Sequence, residues 1–168
     1  MNHDLTLMID ENLIQSRIIK FGNQLNKKYS TSELTIICIL KGAVPFLKDL
    51  TNNLKIDYDI QYLDVKSYKG IKRQKITSEE ITFNCENKNI LIIDDICDTG
   101  HTLIHVINLL RKHNPKNINT AVLLNKQIKS KEYKADTSLF DISNEFVVGY
   151  GLDYNNRYRF LNNIYKLN

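Results

Sequence analysis

The chain has 168 residues, 42% of them hydrophobic, and a formal charge of +4. That is enough for one domain with a real core and too little for a second. No apolar run nears membrane-spanning length, and Met1–Asn12 has neither a basic region nor an apolar signal core, so a cytoplasmic protein with no membrane partner is expected. The three cysteines, Cys38, Cys85 and Cys97, are odd in number and widely spaced, which argues against a disulfide framework and against a zinc site.

Apolar residues at three- and four-residue steps, Leu13, Ile14, Ile18, Phe21 and Leu25, predict a helix over Glu11–Tyr29 that covers one face of a sheet. Leu34–Leu40 is the first buried strand. Lys41-Gly42 follows at once, then a helical pattern over Ala43–Leu54 with Pro45 in its first turn. Read alone, a strand leading into Lys-Gly and a helix is either a phosphate-facing loop or an ordinary turn. Ile56–Val65 alternates as a second strand and ends in Lys66-Ser67-Tyr68. The connection that follows, Lys69–Gln74, looks short.

Ile90–Ile93 is an unbroken apolar run that suits a strand buried on both faces of a parallel sheet, ended by Asp94 and Asp95. After Ile96 and Cys97 comes Asp98-Thr99-Gly100-His101-Thr102, then a helix over Leu103–Leu110. Ligands of open α/β sheets bind at the carboxyl ends of strands. Backbone N–H groups around Thr99–Thr102 at a helix start make an anion cradle that holds a phosphate. The paired carboxylates accept from vicinal hydroxyls, as on a ribose, or take part in binding Mg²⁺. Asp98 has a bland reading as a helix cap. Cys97 reads as a packed small hydrophobe and not as a nucleophile, since no base is fixed beside it.

Asn117–Leu124 is a further buried strand ending in Asn125-Lys126. Lys126 read alone is an exposed charge, and the lysines of 66–75 and 126–134 read alone are a solvated face or a polyphosphate contact. No aromatic residues interleave with them as in single-strand binders, so no nucleic acid is expected. Phe146–Tyr154 reads as a short strand, a glycine turn and an acid, with Arg157 and Arg159 after it, and Phe146 read alone is core.

The run of buried strand, two acids, two apolar residues and Asp-Thr-Gly-x-Thr resembles the type I phosphoribosyltransferases. Leu40-Lys41-Gly42, Leu123–Lys126 and Phe146–Arg159 extend the resemblance to the hypoxanthine-guanine branch, over Leu34–Tyr165 in all. It implies an α/β fold with a central, mostly parallel sheet flanked by helices and a small hood built largely from the carboxyl-terminal segment. The whole chain, 1–168, would be one domain, with its core over about 10–125 and its hood over about 126–168 with the amino terminus. It also implies transfer of the phosphoribosyl group of 5-phosphoribosyl-1-diphosphate to N9 of hypoxanthine or guanine.

Carried over residue by residue, Asp94 and Asp95 hold the ribose and Asp98, Thr99, Gly100, His101 and Thr102 hold the 5-phosphate. Leu40, Lys41 and Gly42 form the diphosphate loop, whose Leu-Lys peptide is often cis in the family, with Leu40-Lys41 the candidate here, and Arg159 also meets diphosphate. Ser67 and Tyr68 open a lid over the reacting centre that returns as a strand near Lys75-Ile76, with Ile81–Phe83 continuing the hairpin. Lys126 meets the purine 6-oxo group, Phe146 stacks on the base, Val147 meets the base edge through its backbone, and Asp153 is near base and metal. Asp98 is the catalytic group, sharing a proton at N7 of the base. Mg²⁺ is the implied cofactor, with Asp94, Asp95 and Asp153 as its ligands, and relatives form dimers or tetramers.

Three rivals stand beside this reading. A phosphoribosyltransferase-like regulator of nucleotides and RNA would keep the central loop without needing the purine set. A flavodoxin-like receiver domain does not account for the carboxyl terminus. A xanthine-preferring enzyme is favoured by Asp94, where the purine branch commonly has Glu, and disfavoured by the carboxyl terminus.

Overall fold

A computed structural model of the chain describes residues 4–65 and 81–168. Along it run β1 (Leu5–Ile9), α1 (Glu11–Lys28), β2 (Leu34–Leu40), α2 (Val44–Thr51), β3 (Tyr58–Asp64), β4 (Asn89–Cys97), α3 (His101–Arg111), β5 (Asn117–Lys126), β6 (Thr137–Ile142), β7 (Val147–Val148) and β8 (Ile164–Leu167). Five strands form one sheet in the order β3-β2-β4-β5-β6, and every pairing in it is parallel.

Side-chain alternation along these strands feeds two separate cores. Leu34, Ile36 and Cys38 of β2, with Leu91 and Ile93 of β4 and Ala121 and Leu123 of β5, pack against α1 and α2. Their neighbours Ile37, Ile39, Ile90, Ile92 and Val122 turn to the other face and meet Leu103, Val106, Ile107 and Leu110 of α3. The central strands therefore read as continuous apolar runs because helices cover both faces. Each fully buried Ile or Leu contributes about 1.5–3 kcal/mol from burial.

α1 starts where Asp10 Oδ1 accepts from Leu13 N at 3.1 Å, carries Glu11 in its first turn and has Lys27 and Lys28 in its last. Its buried stripe is Ile14, Ile18, Phe21, Gly22 and Leu25. Leu13, expected on that stripe, is exposed.

A second sheet, antiparallel in the order β1-β8-β7, joins the two ends of the chain and packs through Ile9, Val147 and Ile164 on the α1 and α2 side. β1, β6 and β8 had no sequence expectation. β6 lies within the segment expected for the hood, yet it is the edge strand of the large sheet.

Several expected boundaries shift. β4 continues through Asp94 and Asp95 to Cys97, because its pairing with β5 persists to Cys97 and Asn125. α2 stops at Thr51, where Asn53 N and Leu54 N donate three residues back, to Leu50 O and Thr51 O. Ile81–Phe83 is not a strand, although Ile81 is buried under the α3 face. No helix among the described residues is long and apolar enough to cross a membrane.

Candidate active site

Because the five strands are parallel, their carboxyl ends share one edge, and a cleft of about 360 Å³ opens there. Leu40, Lys41 and Gly42 reach it from β2, Asp94 to Thr102 from β4 and the start of α3, and Lys126 from β5. Phe146, Val147, Asp153 and Arg159 close it from the carboxyl-terminal side. Ser67 and Tyr68 lie outside the described residues, as does the rest of the expected lid. Ile39, Val65, Ile96, Leu103 and Leu152 also line the cleft. They supply apolar wall, for which sequence offers no signal beyond adjacency.

The loop after β2 approaches the acidic pair very closely. A Cβ on Gly42 would fall 1.6 Å from Asp95 Oδ2, so any side chain there would push the Asp95 carboxylate out of place. The Leu40-Lys41 peptide is cis. Asp94 is 7% exposed and lies beside Asp95, whose backbone N–H donates to Asp94 Oδ1 at 2.9 Å. Burial first, and then the Asp95 charge, pushes the Asp94 carboxyl well above the usual carboxylate range. Burial also raises Asp95, against the hydrogen bond from Asp94 and the charge of Arg159. Both shifts favour the protonated form of the pair, most strongly at Asp94.

This protonation predicts a pH dependence. An acid with a raised folded pKa binds more protons folded than unfolded between its two values, so stability falls as pH rises through that window. The metal-free protein should thus lose melting temperature with rising pH, from about pH 4 upward, as Asp94 is forced to ionise. Asp94→Asn should flatten that slope, and at neutral pH should melt above the wild type. Parallel slopes for the two proteins would show that Asp94 does not hold the proton.

Gly100 takes the cap position of α3 with φ +93, and the only side-chain oxygen that meets the first helical N–H among the described residues is Thr99 Oγ1, which accepts from His101 N at 3.4 Å. Asp98 therefore does not act as the cap. Its half-exposed carboxylate instead meets Lys126 Nζ at 3.3 Å. The amino terminus of α3 lines the cleft at Thr99–Leu103 and turns the positive end of the helix toward it. Cys97 is buried, its thiol donates to Tyr133 O at 3.5 Å, and burial raises its pKa, all of which suit a packed hydrophobe.

On the far wall, Phe146 is 45% exposed and packs edge-on against Tyr154, with ring centroids 5.5 Å apart. Arg159 donates from Nη1 to Gly151 O at 2.7 Å and from Nη2 to Asp153 Oδ1 at 2.5 Å. Among the described residues no three His, Cys, Asp or Glu side chains converge as one metal site, so Asp153 stands apart from the Asp94–Asp95 pair as a ligand.

Residues 8–155 match the family described as phosphoribosyl transferase domain. The chain is 34% identical over 171 residues to the hypoxanthine phosphoribosyltransferase of Buchnera aphidicola subsp. Schizaphis graminum, covering 96% of this chain and 94% of the relative. It is 36% identical over 167 residues to the hypoxanthine-guanine phosphoribosyltransferase of Bacillus subtilis, covering 95% and 91%. The crystal structure of a hypoxanthine phosphoribosyltransferase from Staphylococcus aureus superposes with a TM-score of 0.87 at 34% identity, covering 97% of this chain and 91% of that one.

Proposed function

The chain belongs to the phosphoribosyl transferase family, and from that premise we propose that it is a purine salvage enzyme acting on hypoxanthine, and on guanine. It joins N9 of the base to C1 of the ribose of 5-phosphoribosyl-1-diphosphate and releases diphosphate. The observation that carries this reading is the single cleft in which a phosphate cradle, an acidic pair and an exposed aromatic ring face one another. The rival regulator has no need of Lys126 and Phe146 in that cleft, and the receiver domain does not match the family.

Asp94 and Asp95 accept from the ribose hydroxyls, and the N–H groups of Thr99–Thr102 hold the 5-phosphate. Lys41, Gly42 and Arg159 face the diphosphate. Positive charge grows on the ribose as diphosphate departs, and the buried carboxylates stabilise it electrostatically. Asp98 takes or shares the proton at N7 as N9 becomes the nucleophile, and Lys126, already 3.3 Å from Asp98, donates to the 6-oxo oxygen.

The adjacent all-oxygen carboxylates of Asp94 and Asp95 suit Mg²⁺, which keeps waters and substrate oxygens in its shell. Asp94 and Asp95 would hold such an ion at the ribose, and Asp153 another near the diphosphate. When bound, Mg²⁺ offsets negative charge on the leaving group. In this reading the enzyme works in the cytoplasm as a homodimer or homotetramer.

Turnover of hypoxanthine, guanine, xanthine and adenine with 5-phosphoribosyl-1-diphosphate tests the reading. Hypoxanthine should be the best substrate or equal to guanine, with adenine excluded. Preference for xanthine would transfer the assignment to the rival enzyme of the same reaction class.

Two substitutions probe the base. Lys126→Met should lower kcat/KM for hypoxanthine by about tenfold to a hundredfold, the worth of a charged hydrogen bond, with little change for the phosphoribosyl substrate. It should also relax the exclusion of adenine, whose 6-amino group is a donor. An equal loss for both substrates would mark the lysine as structural.

Phe146→Ala should raise the purine KM by the equivalent of about 1–3 kcal/mol of stacking. Its exposure argues against the about 3–5 kcal/mol loss of stability expected of a core Phe. A large fall in melting temperature with an unaltered KM would reverse that assignment.

A further inference from the structure

The parallel ladder between β4 and β5 makes its last pairing at Cys97 and Asn125. The next residues on the two strands are Asp98 and Lys126, the side chains that the proposed reaction needs at N7 and at the 6-oxo oxygen. No ladder bond between β4 and β5 fixes their relative position. Lys131, which plays no part in the mechanism above, sits across this gap. Its Nζ donates to Cys97 O at 3.0 Å and to Lys126 O at 2.8 Å.

Those two carbonyls belong to the peptide that precedes Asp98 and to Lys126 itself. The ammonium thus ties the two strand ends together just past the point where their backbone bonds stop. An ammonium is well suited to bridging two carbonyls, since it has three donors and no acceptor and its bonds are charge-assisted. The next two residues fasten the same segment to the phosphate loop. Glu132 N and Tyr133 N donate to Thr99 O at 2.9 and 3.3 Å, and Glu132 Oε1 lies 3.1 Å from His101 Nε2. These contacts do not involve the Lys131 side chain, so the phosphate loop stays anchored without it.

We propose that Lys131 is a positioning residue for the reaction, holding Asp98 and Lys126 at the spacing at which both meet the same purine. The inference rests on the purine roles proposed above for those two residues. It assigns to Lys131 an effect on base use that is separate from phosphate binding.

The test compares the full-length wild type with Lys131→Met and Lys131→Arg, using hypoxanthine and 5-phosphoribosyl-1-diphosphate, with melting temperatures measured in parallel. Lys131→Met should lower kcat/KM for hypoxanthine by about tenfold or more, within the ~10²-fold that an ångström of misplacement costs, and leave KM for the phosphoribosyl substrate within about twofold. Lys131→Arg, whose guanidinium also offers donors to two carbonyls, should recover most of the loss. In a Lys126→Met background the Lys131→Met effect should shrink, because the contact it positions is gone.

Wild-type constants for Lys131→Met would overturn the proposal. So would a loss shared by both substrates in step with a fall in melting temperature, or an undiminished effect in the Lys126→Met background. Those results leave the salvage reading intact. A wild type that turns over no purine would remove both.

Discussion

Asp98→Asn is expected to cut turnover by about 10²- to 10⁴-fold, the usual worth of general acid-base help, while 5-phosphoribosyl-1-diphosphate still binds. The amide keeps the size of the carboxylate and loses its basicity. The structure separates this effect from a folding defect, because Asp98 does not cap α3 and its carboxylate is half exposed. The ion pair with Lys126 that the substitution removes is one-sidedly solvated, and such pairs are worth about 0–1 kcal/mol. Melting temperature should therefore stay close to that of the wild type while kcat collapses. Near-normal kcat in Asp98→Asn would remove this residue from the chemistry.

Gly151→Ala should damage both stability and binding, by a different route. Gly151 has φ +96, and a Cβ there would fall 2.1 Å from Gly42 O and 3.0 Å from Pro45 Cδ. The left-handed backbone alone costs a non-glycine residue about 1–2 kcal/mol. The clash is with backbone, which has little freedom to yield, so the total should reach at least about 2 kcal/mol and lower the melting temperature by about 4–8 °C. The turn that carries Gly151 lies between Phe146 and Asp153 and rests directly on the loop after β2. Displacing it moves the proposed purine wall and the proposed diphosphate loop together, so KM should rise for both substrates, by about tenfold or more. A variant with wild-type stability and unchanged KM values would show that the two loops are not in contact in solution.

The contrast between these substitutions bears on what a sequence discloses. The acidic pair, the Asp98–Thr102 loop and the helix after it are contiguous, so strand, cradle and helix could be read from one stretch. Even there the strand runs on through Asp94 and Asp95, since the pairing partner β5, and not the change from apolar to acidic residues, decides where β4 ends. Asp98 in the cap role failed for a related reason, because Gly100 takes the cap position with a positive φ. β1 and β8 were invisible because each is short and acquires its partner from the opposite end of the chain, as in Leu5 opposite Leu167. β6 carries a mixed pattern, with Leu139 and Ile142 buried and Asp141 exposed, as an edge strand does. Lys131 lay in a lysine-rich run with no motif to distinguish it, and only the two carbonyls it meets single it out.

The central claim is that one loop reads the sugar phosphate while the opposite wall reads a 6-oxopurine. A crystal structure of the full chain with inosine 5′-monophosphate, the product expected from hypoxanthine, tests it most directly. The account predicts the phosphate on the N–H groups of Thr99–Thr102, the ribose hydroxyls at Asp94 and Asp95, and the base against Phe146 with its 6-oxo oxygen at Lys126 and N7 at Asp98. A nucleotide bound with its phosphate elsewhere, or with its base turned away from Phe146 and Lys126, would contradict it.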